Sequence, residues 1–456
     1  MEIIDIMLSS KIIFGFDKLE PNGEPTPNCR KLTFEGWDLC ESGNYFCGMF
    51  QNVSSKFLKI IKKGEFQTQT CVKFMDINDI KDKQYFYVID TKEFAGMLGF
   101  KRFGTFVTEE TVFEHIPKKV LKDCKNNQCF IVFNYGFEGF SSSWEDTLLF
   151  KPLFNKFHEK IQQYNLPQKN IFYIDGNLTF DEINLDTQIN YFSYEYTALD
   201  WDRYAKMHPT LTYHRNTISK QNFNKLFDNK KILRKKYFMS QNRLPKNHRF
   251  ELGLFLYRNN FLKDGFFSFP KIEDFNQFGY KFDTSITELK PYVSKFIKSL
   301  PYKIDGVNFT QKKWSYEKFD VEYYLQSYFS IICENQFTDY DDQLQFSEKV
   351  WKPITNFHPF ILLGDRHQIK QLKKWGFKTF EPFIDESYDE IQDTEQRFKK
   401  ASNQIKKLCK MSRSELHEWY WSIEKTLRHN YYHFYGHFIK GQRQKLINNF
   451  ERVLNE

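Results

Sequence analysis

Residues 333–364 read CENQFTDYDDQLQFSEKVWKPITNFHPFILLG, and this stretch decides the predicted fold. Its order indicates a strand end, a loop, a short helix that begins after Ser347, and an apolar strand over 360–363 that stops at Gly364. The Ser347 hydroxyl can cap the free N–H groups of the helix, and Pro353 keeps that helix short or kinked. Strand, loop, helix and strand in this order are typical of α/β proteins.

Two charged side chains stand at the predicted helix start. Glu348 and Lys349 occupy its first turn, where a carboxylate can hold a sugar hydroxyl and an ammonium can hold a phosphate. A helix N-terminus adds its own attraction for anions. The alternative is a capped surface helix with a solvated Glu–Lys pair, because such pairs are common on helix surfaces. The residue types alone leave both interpretations open.

A second block opens with a predicted strand over 237–239 and continues into a polar, basic turn, SQNRLPKNHR, over 240–249. Pro245 suits the first position of a helix, and another strand is predicted over 265–269. A strand followed by a cationic turn that opens a helix can form a phosphate cradle. The cationic side chains of this turn are Arg243, Lys246, His248 and Arg249. The sequence lacks the glycine patterns of dinucleotide-binding and P-loop proteins, and a solvated helix start is the alternative.

The first half of the chain carries two predicted strands with polar loops at their ends. The apolar run 130–133 is typical of a strand buried on both faces, and it leads to Glu138, which lies between two glycines. A helical pattern over 153–164 and a strand over 171–174 follow, and Asp175 comes directly after that strand. Because ligands bind beyond the carboxyl ends of parallel strands, we expect both carboxylates to lie at a ligand-binding edge.

The later blocks resemble the donor-binding domain of the α1,3-fucosyltransferase family. Residues 333–336, Cys-Glu-Asn-Gln, stand where that family has a Phe-Glu-Asn-Ser strand end, with Gln for the Ser. Residues 346–349, Phe-Ser-Glu-Lys, stand at its Tyr-x-Thr-Glu-Lys pattern, with Ser for Thr, and 358–364 stand at its Val-Pro-Val strand ending in Gly. Three residues of the basic turn stand in comparable places to the family's Ser, Asn and Arg: Ser240, Asn242 and Arg249. The likeness spans two separated blocks, 237–269 and 328–364, which belong to one predicted domain of about 200 residues.

The resemblance implies a GT-B glycosyltransferase, in which two Rossmann-like α/β domains face each other across a cleft. We expect an acceptor-side domain over 1–225, a donor-binding domain over 226–430 and a helical tail over 431–456 that returns toward the first domain. The implied reaction transfers a sugar, with inversion, to a hydroxyl of a glycan or another acceptor. The resemblance favours a GDP-sugar as the donor.

The resemblance also implies roles for the site residues. Arg249 and Lys349 hold the diphosphate, and Glu348 holds sugar or ribose hydroxyls. The remaining predicted donor-binding residues are Ser240, Asn242, Arg243, Glu334, Asn335 and Ser347. Inversion requires a general base, for which we expect Glu138, with Asp175 as the second candidate.

No tightly bound cofactor or metal is expected, because fixed cations can stabilise the departing diphosphate. None of the eight Cys has zinc-site spacing with another Cys or with His. His429, His433 and His437 share one predicted helix face and could ligate a metal. Tyrosines lie between these histidines, however, and no carboxylate has a matching register. A metal site is therefore the less favoured interpretation of this helix face.

Composition narrows the class of protein further. The length of 456 residues predicts two domains. The net charge of +8 suits an anionic ligand and does not require nucleic-acid binding, although a nucleic acid remains a possible acceptor. No apolar run approaches the ~20 residues of a membrane span, and the N-terminus lacks a signal-peptide pattern, so we expect a cytoplasmic protein. The many Phe, Lys, Asn and Tyr residues are compatible with an AT-rich viral or phage genome.

Two competing functions remain at this point. One is a non-catalytic carbohydrate- or nucleic-acid-binding protein on a transferase-like fold, because basic turns and aromatic side chains also suit stacking on bases or sugars. The other is a different nucleotide-dependent enzyme that uses the same phosphate cradle. The fold alone does not separate them.

Overall fold

A computed structural model of the chain describes residues 12–16, 33–34, 37–38, 40–42, 72–91, 98, 111–136, 150–182, 187–207, 226, 230–273, 282–304, 321–340 and 343–455. The described strands are β1 (Ile12–Phe16), β2 (Thr33–Phe34), β3 (Trp37–Asp38), β4 (Cys40–Ser42), β5 (Val72–Asp76), β6 (Tyr85–Thr91), β7 (Cys129–Tyr135), β8 (Ile171–Asp175), β9 (Asn190–Ser193), β10 (Lys236–Gln241), β11 (Gly265–Ser268), β12 (Ser327–Cys333) and β13 (Phe360–Leu363).

The described α-helices are α1 (Lys118–Lys125), α2 (Phe150–Gln163), α3 (Tyr196–Met207), α4 (Asn247–Arg258), α5 (Val293–Ser299), α6 (Val321–Gln326), α7 (Glu348–Thr355), α8 (Gln368–Lys374), α9 (Thr394–Lys410), α10 (Arg413–Ser422), α11 (Glu424–His433) and α12 (Ile439–Asn455). A π-helical turn, Phe434–Phe438, joins α11 to α12. The fold is therefore mixed α/β, the class that the alternation of strand and helix patterns predicts.

Among the described residues, the first sheet contains six parallel strands in the order β5-β1-β6-β7-β8-β9, and β4 pairs antiparallel with the end of β6. Strands β7 and β8 are buried along their whole length, as expected for a parallel sheet that is covered on both faces. One face of α2 is buried with this sheet, through Leu153, Phe157 and Ile161. Tyr135 at the end of β7 pairs with Asp175 at the end of β8, so both strands end at the same edge.

The last helix, α12, completes the core of the first sheet. Leu446, Ile447 and Phe450 are buried along one side of this helix. The Phe450 ring packs among four strand phenylalanines, at centroid distances of 5.5 Å to Phe14, 4.8 Å to Phe86, 5.7 Å to Phe172 and 5.7 Å to Phe192. An ion pair of 2.6 Å between Arg443 and Asp202 of α3 adds a polar contact. Helix α12 therefore belongs to the core of the first sheet, although it is far from those strands in sequence.

The part of the second sheet that the structure describes contains four parallel strands in the order β11-β10-β12-β13. Strand β12 is buried throughout, and so is β13. This order means that the chain leaves β10 toward β11 on one side, whereas β12 and β13 lie on the other side. The ends of β10 and β12 are thus the point where the strand order reverses.

Contacts divide the chain into two compact units. The first comprises Met1–Met207, Asp342–Gln345 and Ile439–Glu456, and the second comprises His208–Asp341 and Phe346–Phe438. The domain boundary predicted after residue 225 lies in a stretch, 208–229, of which the structure describes residue 226 alone, so it stays a prediction. The tail predicted over 431–456 has its first residue inside α11 (Glu424–His433). The chain returns to the first unit at Ile439.

A buried histidine supports the start of β13. His358 is 1 % exposed, its Nε2 lies 2.7 Å from the Ser327 carbonyl, and its Nδ1 lies 2.7 Å from the Ser330 hydroxyl. A neutral imidazole satisfies both partners, with Nε2–H as donor to the carbonyl and Nδ1 as acceptor from the hydroxyl. Burial, assisted by Arg234, lowers the pKa of His358 to about 3.

We expect the free energy of unfolding to fall as the pH drops below about 6.5, the pKa of an unperturbed histidine. The unfolded chain then binds a proton that folded His358 does not accept until about pH 3, which costs up to about 1.4 kcal/mol per pH unit. Thermal denaturation at pH 7.5 and pH 5 measures the effect. His358→Gln should lose less stability between these two pH values than the wild type, whereas the exposed His437→Gln should match the wild type. Equal losses in the wild type and His358→Gln would contradict the assignment.

Candidate anion-binding site

The candidate site lies at the carboxyl edge of the second sheet, between the ends of β10 and β12. Open parallel α/β sheets bind ligands at such a reversal of strand order. The turn after β10 leads into α4, and the loop after β12 leads toward α7. The predicted donor-binding residues lie on these two connections and in the first turns of the two helices.

Glu334, the residue after β12, organises the start of α7. Its side chain is buried, and its Oε1 accepts a hydrogen bond from the Ser347 N–H at 3.0 Å while its Oε2 accepts from the Ser347 hydroxyl. The Ser347 hydroxyl in turn accepts from the Lys349 N–H at 3.3 Å, which is the N-cap that the sequence predicts. Both Glu334 oxygens are engaged, so this carboxylate positions the helix start.

Three cationic side chains converge on Asn335, the next residue in the loop. Lys246 Nζ donates to its main-chain carbonyl, Arg249 Nη2 donates to its side-chain Oδ1 at 3.3 Å, and Lys349 Nζ donates to the same Oδ1 at 3.1 Å. Cations from α4 and its preceding turn therefore meet a cation from α7 at one residue, Lys246 at the main-chain carbonyl and the other two at the side-chain amide. The predicted phosphate cradle and the predicted Glu-Lys pair are brought together at this point.

Arg249 also holds the two strand ends in place. Its side chain is buried, at 2 % exposure, and its guanidinium donates to the carbonyls of Leu244 at 3.2 Å, Cys333 at 3.3 Å and Glu334 at 2.9 Å. The sequence predicts only a phosphate ligand here. The structure adds a second role, because this one side chain joins the turn after β10 to the end of β12.

Two of these cations, Arg249 and Lys246, lie near His248. His248 is buried, its Nε2 lies 3.0 Å from the Glu334 carbonyl, and its ring stacks on Phe337 at 5.4 Å. Burial holds its pKa well below the ordinary histidine value, and the charges of Arg249 and Lys246 lower it further. Burial and the two neighbouring cations thus both disfavour the charged form of His248.

Glu348 is ionised next to two lysines. Its Oε1 lies 3.3 Å from Lys352 Nζ and 3.7 Å from Lys349 Nζ. Burial disfavours the charged carboxylate, but Lys349 and Lys352 outweigh it and hold the pKa of Glu348 at about 2. The carboxylate can therefore accept hydrogen bonds from ligand hydroxyls throughout the physiological pH range.

The remaining predicted residues of the basic turn divide into two groups. Ser240 and Asn242 are buried, Asn242 Nδ2 donates to the Ser240 hydroxyl at 3.1 Å, and the Asn242 N–H donates to Ser268 Oγ at 3.1 Å. The Oδ1 of Asn242 has no hydrogen-bond partner among the described residues. Arg243, by contrast, is exposed on the turn. Ser240 and Asn242 thus line the end of β10, and Arg243 lies on its surface.

The structure describes one of the two candidates for the general base, Asp175, but not the other, Glu138. Glu138 lies outside the described residues, so its role stays a prediction. Asp175 ends β8 in the first unit with no exposed surface, and its oxygens accept from the Asn177 N–H at 2.7 Å and from the Tyr173 hydroxyl at 3.0 Å. These bonds shape the turn after β8, which makes Asp175 the weaker of the two candidates.

Sequence reasoning missed Asp365, which follows Gly364 at the end of β13. Its Oδ1 accepts from the Thr338 N–H at 3.3 Å and from the Thr338 hydroxyl at 3.1 Å, and its Oδ2 has no hydrogen-bond partner in the described part of the chain. Burial raises the pKa of Asp365 to about 7, although Thr338 and Arg397 oppose the shift. A carboxylate directly after a strand was the available signal. Together with Arg397, which lies over the Phe337 ring at 4.7 Å, Asp365 fixes the loop that carries Asn335.

The histidines that share a helix face do stack, with ring centroids 5.6 Å apart for His429 and His433. Their Nε2 atoms bond to the carbonyls of Gly376 at 2.9 Å and Trp375 at 2.6 Å. Among the residues that the structure describes, no group of three or more His, Cys, Asp or Glu side chains is placed to hold a metal ion. Nor does any described helix have the length and apolar character needed to cross a membrane.

The fold and the site together define an α/β protein with two parallel sheets and a cationic cluster at the edge of the second. Comparison with protein-family models, with curated proteins and with solved structures found no match to this chain. The resemblance to fucosyltransferases therefore rests on the motifs quoted above.

Proposed function

We propose that this protein is a glycosyltransferase that moves a sugar from a nucleotide sugar to an acceptor hydroxyl. The observation that carries the proposal is the convergence of Lys246, Arg249 and Lys349 at the point where the strand order reverses. A nucleotide diphosphate is the anion that such an edge of an α/β sheet commonly binds. The N-terminus of α7 lies in the same cluster and favours negative charge.

In the proposed reaction the cations act on the leaving group. As the bond between sugar and phosphate breaks, negative charge accumulates on the departing diphosphate, and cations held in place beforehand stabilise it. Glu348 accepts hydrogen bonds from sugar or ribose hydroxyls, and Asn242 presents its buried Oδ1 at the end of β10. Glu138 removes the proton of the acceptor hydroxyl, which is the role of a general base in an inverting transfer.

The proposal includes the GT-B arrangement, with an acceptor-side domain over 1–225 and a donor-binding domain over 226–430. By resemblance, the donor is a GDP-sugar and the transfer is fucosyl or hexosyl with inversion. The acceptor is a glycan or another hydroxyl compound, with a nucleic acid as the less favoured choice. We expect the reaction to run in the cytoplasm, of a host cell if the protein is viral.

A panel of nucleotide sugars and nucleoside diphosphates tests the proposal. A ligand present at about 100 times its Kd stabilises the folded protein by about 2.7 kcal/mol, which a thermal-shift assay detects. We expect one nucleotide class to stabilise the protein, its nucleoside without phosphate to have no effect, and the matching nucleotide sugar to be hydrolysed slowly without acceptor. No stabilisation by any diphosphate would contradict the proposal.

The second candidate function is a binding protein without transfer activity. This candidate is favoured by Asp175, the candidate base that the structure describes, because its two oxygens accept hydrogen bonds from the Tyr173 hydroxyl and the Asn177 N–H. Stabilisation by a nucleotide sugar without release of nucleoside diphosphate over many hours would support this candidate instead.

A further inference from the structure

We propose that the side chain of Asn335 is a displaceable plug of the anion site. Its Oδ1 lies between Arg249 and Lys349, at 3.3 Å and 3.1 Å, where a phosphate oxygen would lie when a diphosphate is bound. The inference rests on the proposed function, because it concerns the same site. It adds that the Asn335 side chain lowers the affinity of the site for anions, because a ligand must displace it.

The cations meet an amide because the neighbouring carboxylates are engaged elsewhere. Glu334 accepts from Ser347 and, at 3.2 Å, from the Asn335 N–H. Glu348 lies closer to Lys352, at 3.3 Å, than to Lys349, at 3.7 Å. A phosphate oxygen carries more negative charge than an amide oxygen, so the two cations attract it more strongly. A phosphate oxygen therefore competes successfully for the place of Oδ1.

The rest of the loop can stay in place during this exchange. Phe337 packs between the His248 ring, at 5.4 Å, and the Arg397 guanidinium, at 4.7 Å. Thr338 is held by Asp365. Rotation of one side chain is then sufficient to open the site. A ligand oxygen must engage both Arg249 and Lys349 to replace Oδ1 fully, as Oδ1 itself does.

Substitutions at Asn335 give opposite expected effects on the Kd of inorganic pyrophosphate, measured by titration calorimetry at pH 7.5. Asn335→Ala removes the competing oxygen, Asn335→Ser replaces it with a hydroxyl on a shorter side chain, and both variants should bind about two- to tenfold more tightly, the size of one net hydrogen bond. Asn335→Asp places a carboxylate between the two cations and should bind roughly tenfold more weakly or worse. The matched controls are Asn403→Ala and Asn403→Asp, on the exposed side of α9, which should leave the Kd unchanged.

The outcomes separate this inference from the proposed function. If the wild type binds pyrophosphate and both Asn335→Ala and Asn335→Ser bind it equally well or more weakly, the plug inference alone is wrong. Asn335 would then either bind the ligand directly or take no part in binding. Absence of binding in the wild type and in all three variants would remove the anion site, and the proposed function with it. Thermal denaturation of each variant confirms that the compared proteins are folded, and either of the two shortening substitutions is sufficient to decide.

Discussion

Lys349→Ala is expected to weaken the binding of a nucleoside diphosphate about ten- to a hundredfold while the protein stays folded. The lost charge-assisted hydrogen bond to phosphate contributes about 1.5–3 kcal/mol. The Lys349 side chain is 23 % exposed, and its Nζ bonds to Asn335 Oδ1 and, at 3.2 Å, to Ser347 Oγ. A ligand can therefore reach it. Its removal leaves the cap between Ser347 and the Lys349 N–H intact.

Titration calorimetry with the nucleoside diphosphate that stabilises the wild type measures this effect. Lys370→Ala is the matched control, because its side chain is 65 % exposed on α8 and its ion-pair partner, Glu390, belongs to the surface. Lys349→Arg keeps the charge and should keep part of the affinity. If Lys349→Ala and Lys370→Ala bound the nucleotide equally well, Lys349 would not be a phosphate ligand.

Arg249→Ala is expected to lower both nucleotide affinity and the free energy of unfolding. The guanidinium donates to the carbonyls of Leu244, Cys333 and Glu334, and a buried acceptor that loses its donor costs about 1–3 kcal/mol. We therefore expect a loss of about 2–4 kcal/mol in stability, together with loss of nucleotide binding. The sequence alone predicts an effect on binding only, because it does not reveal that the side chain is buried.

Urea denaturation separates the two roles of Arg249. Arg258→Ala, at the exposed end of the same helix, removes a cation of the same kind and should change neither stability nor affinity. Arg249→Lys should recover part of the nucleotide affinity through its charge, but less of the stability, because an ammonium cannot reproduce the fork of the guanidinium. An Arg249→Ala protein as stable as the wild type would show that the carbonyl contacts contribute little.

Local patterns were sufficient to predict the elements around the site. The Ser347 cap and the short helix α7 depend on neighbouring residues, and both have the predicted positions. The apolar runs at 130–133 and 360–363 lie in strands β7 and β13, because a buried parallel strand needs a continuous apolar sequence. The parallel pairing of β7 with β8 and of β12 with β13 follows from the helices α2 and α7 that connect them.

Contacts between distant residues could not be predicted in the same way. Arg249 reaches carbonyls 84 and 85 residues further along the chain, and Asp365 reaches Thr338 across 27 residues. No periodicity encodes such pairs, since they depend on how strand ends meet at the edge of the sheet. The same limit applies to Asn335, which resembles a donor ligand by its motif but lies among the cations in the described structure.

The packing of Phe450 has a consequence for how the protein is made. During synthesis the N-terminal strands leave the ribosome long before α12, yet their phenylalanines Phe14, Phe86, Phe172 and Phe192 pack around a ring on that last helix. The face of the first sheet that Phe450 covers therefore stays uncovered until α12 has been synthesised, whereas the described strands of the second sheet can already pair. We expect the nascent chain to depend on chaperones during this interval, and a premature stop codon before α12 to yield an aggregating product even though the described strands of both sheets are present.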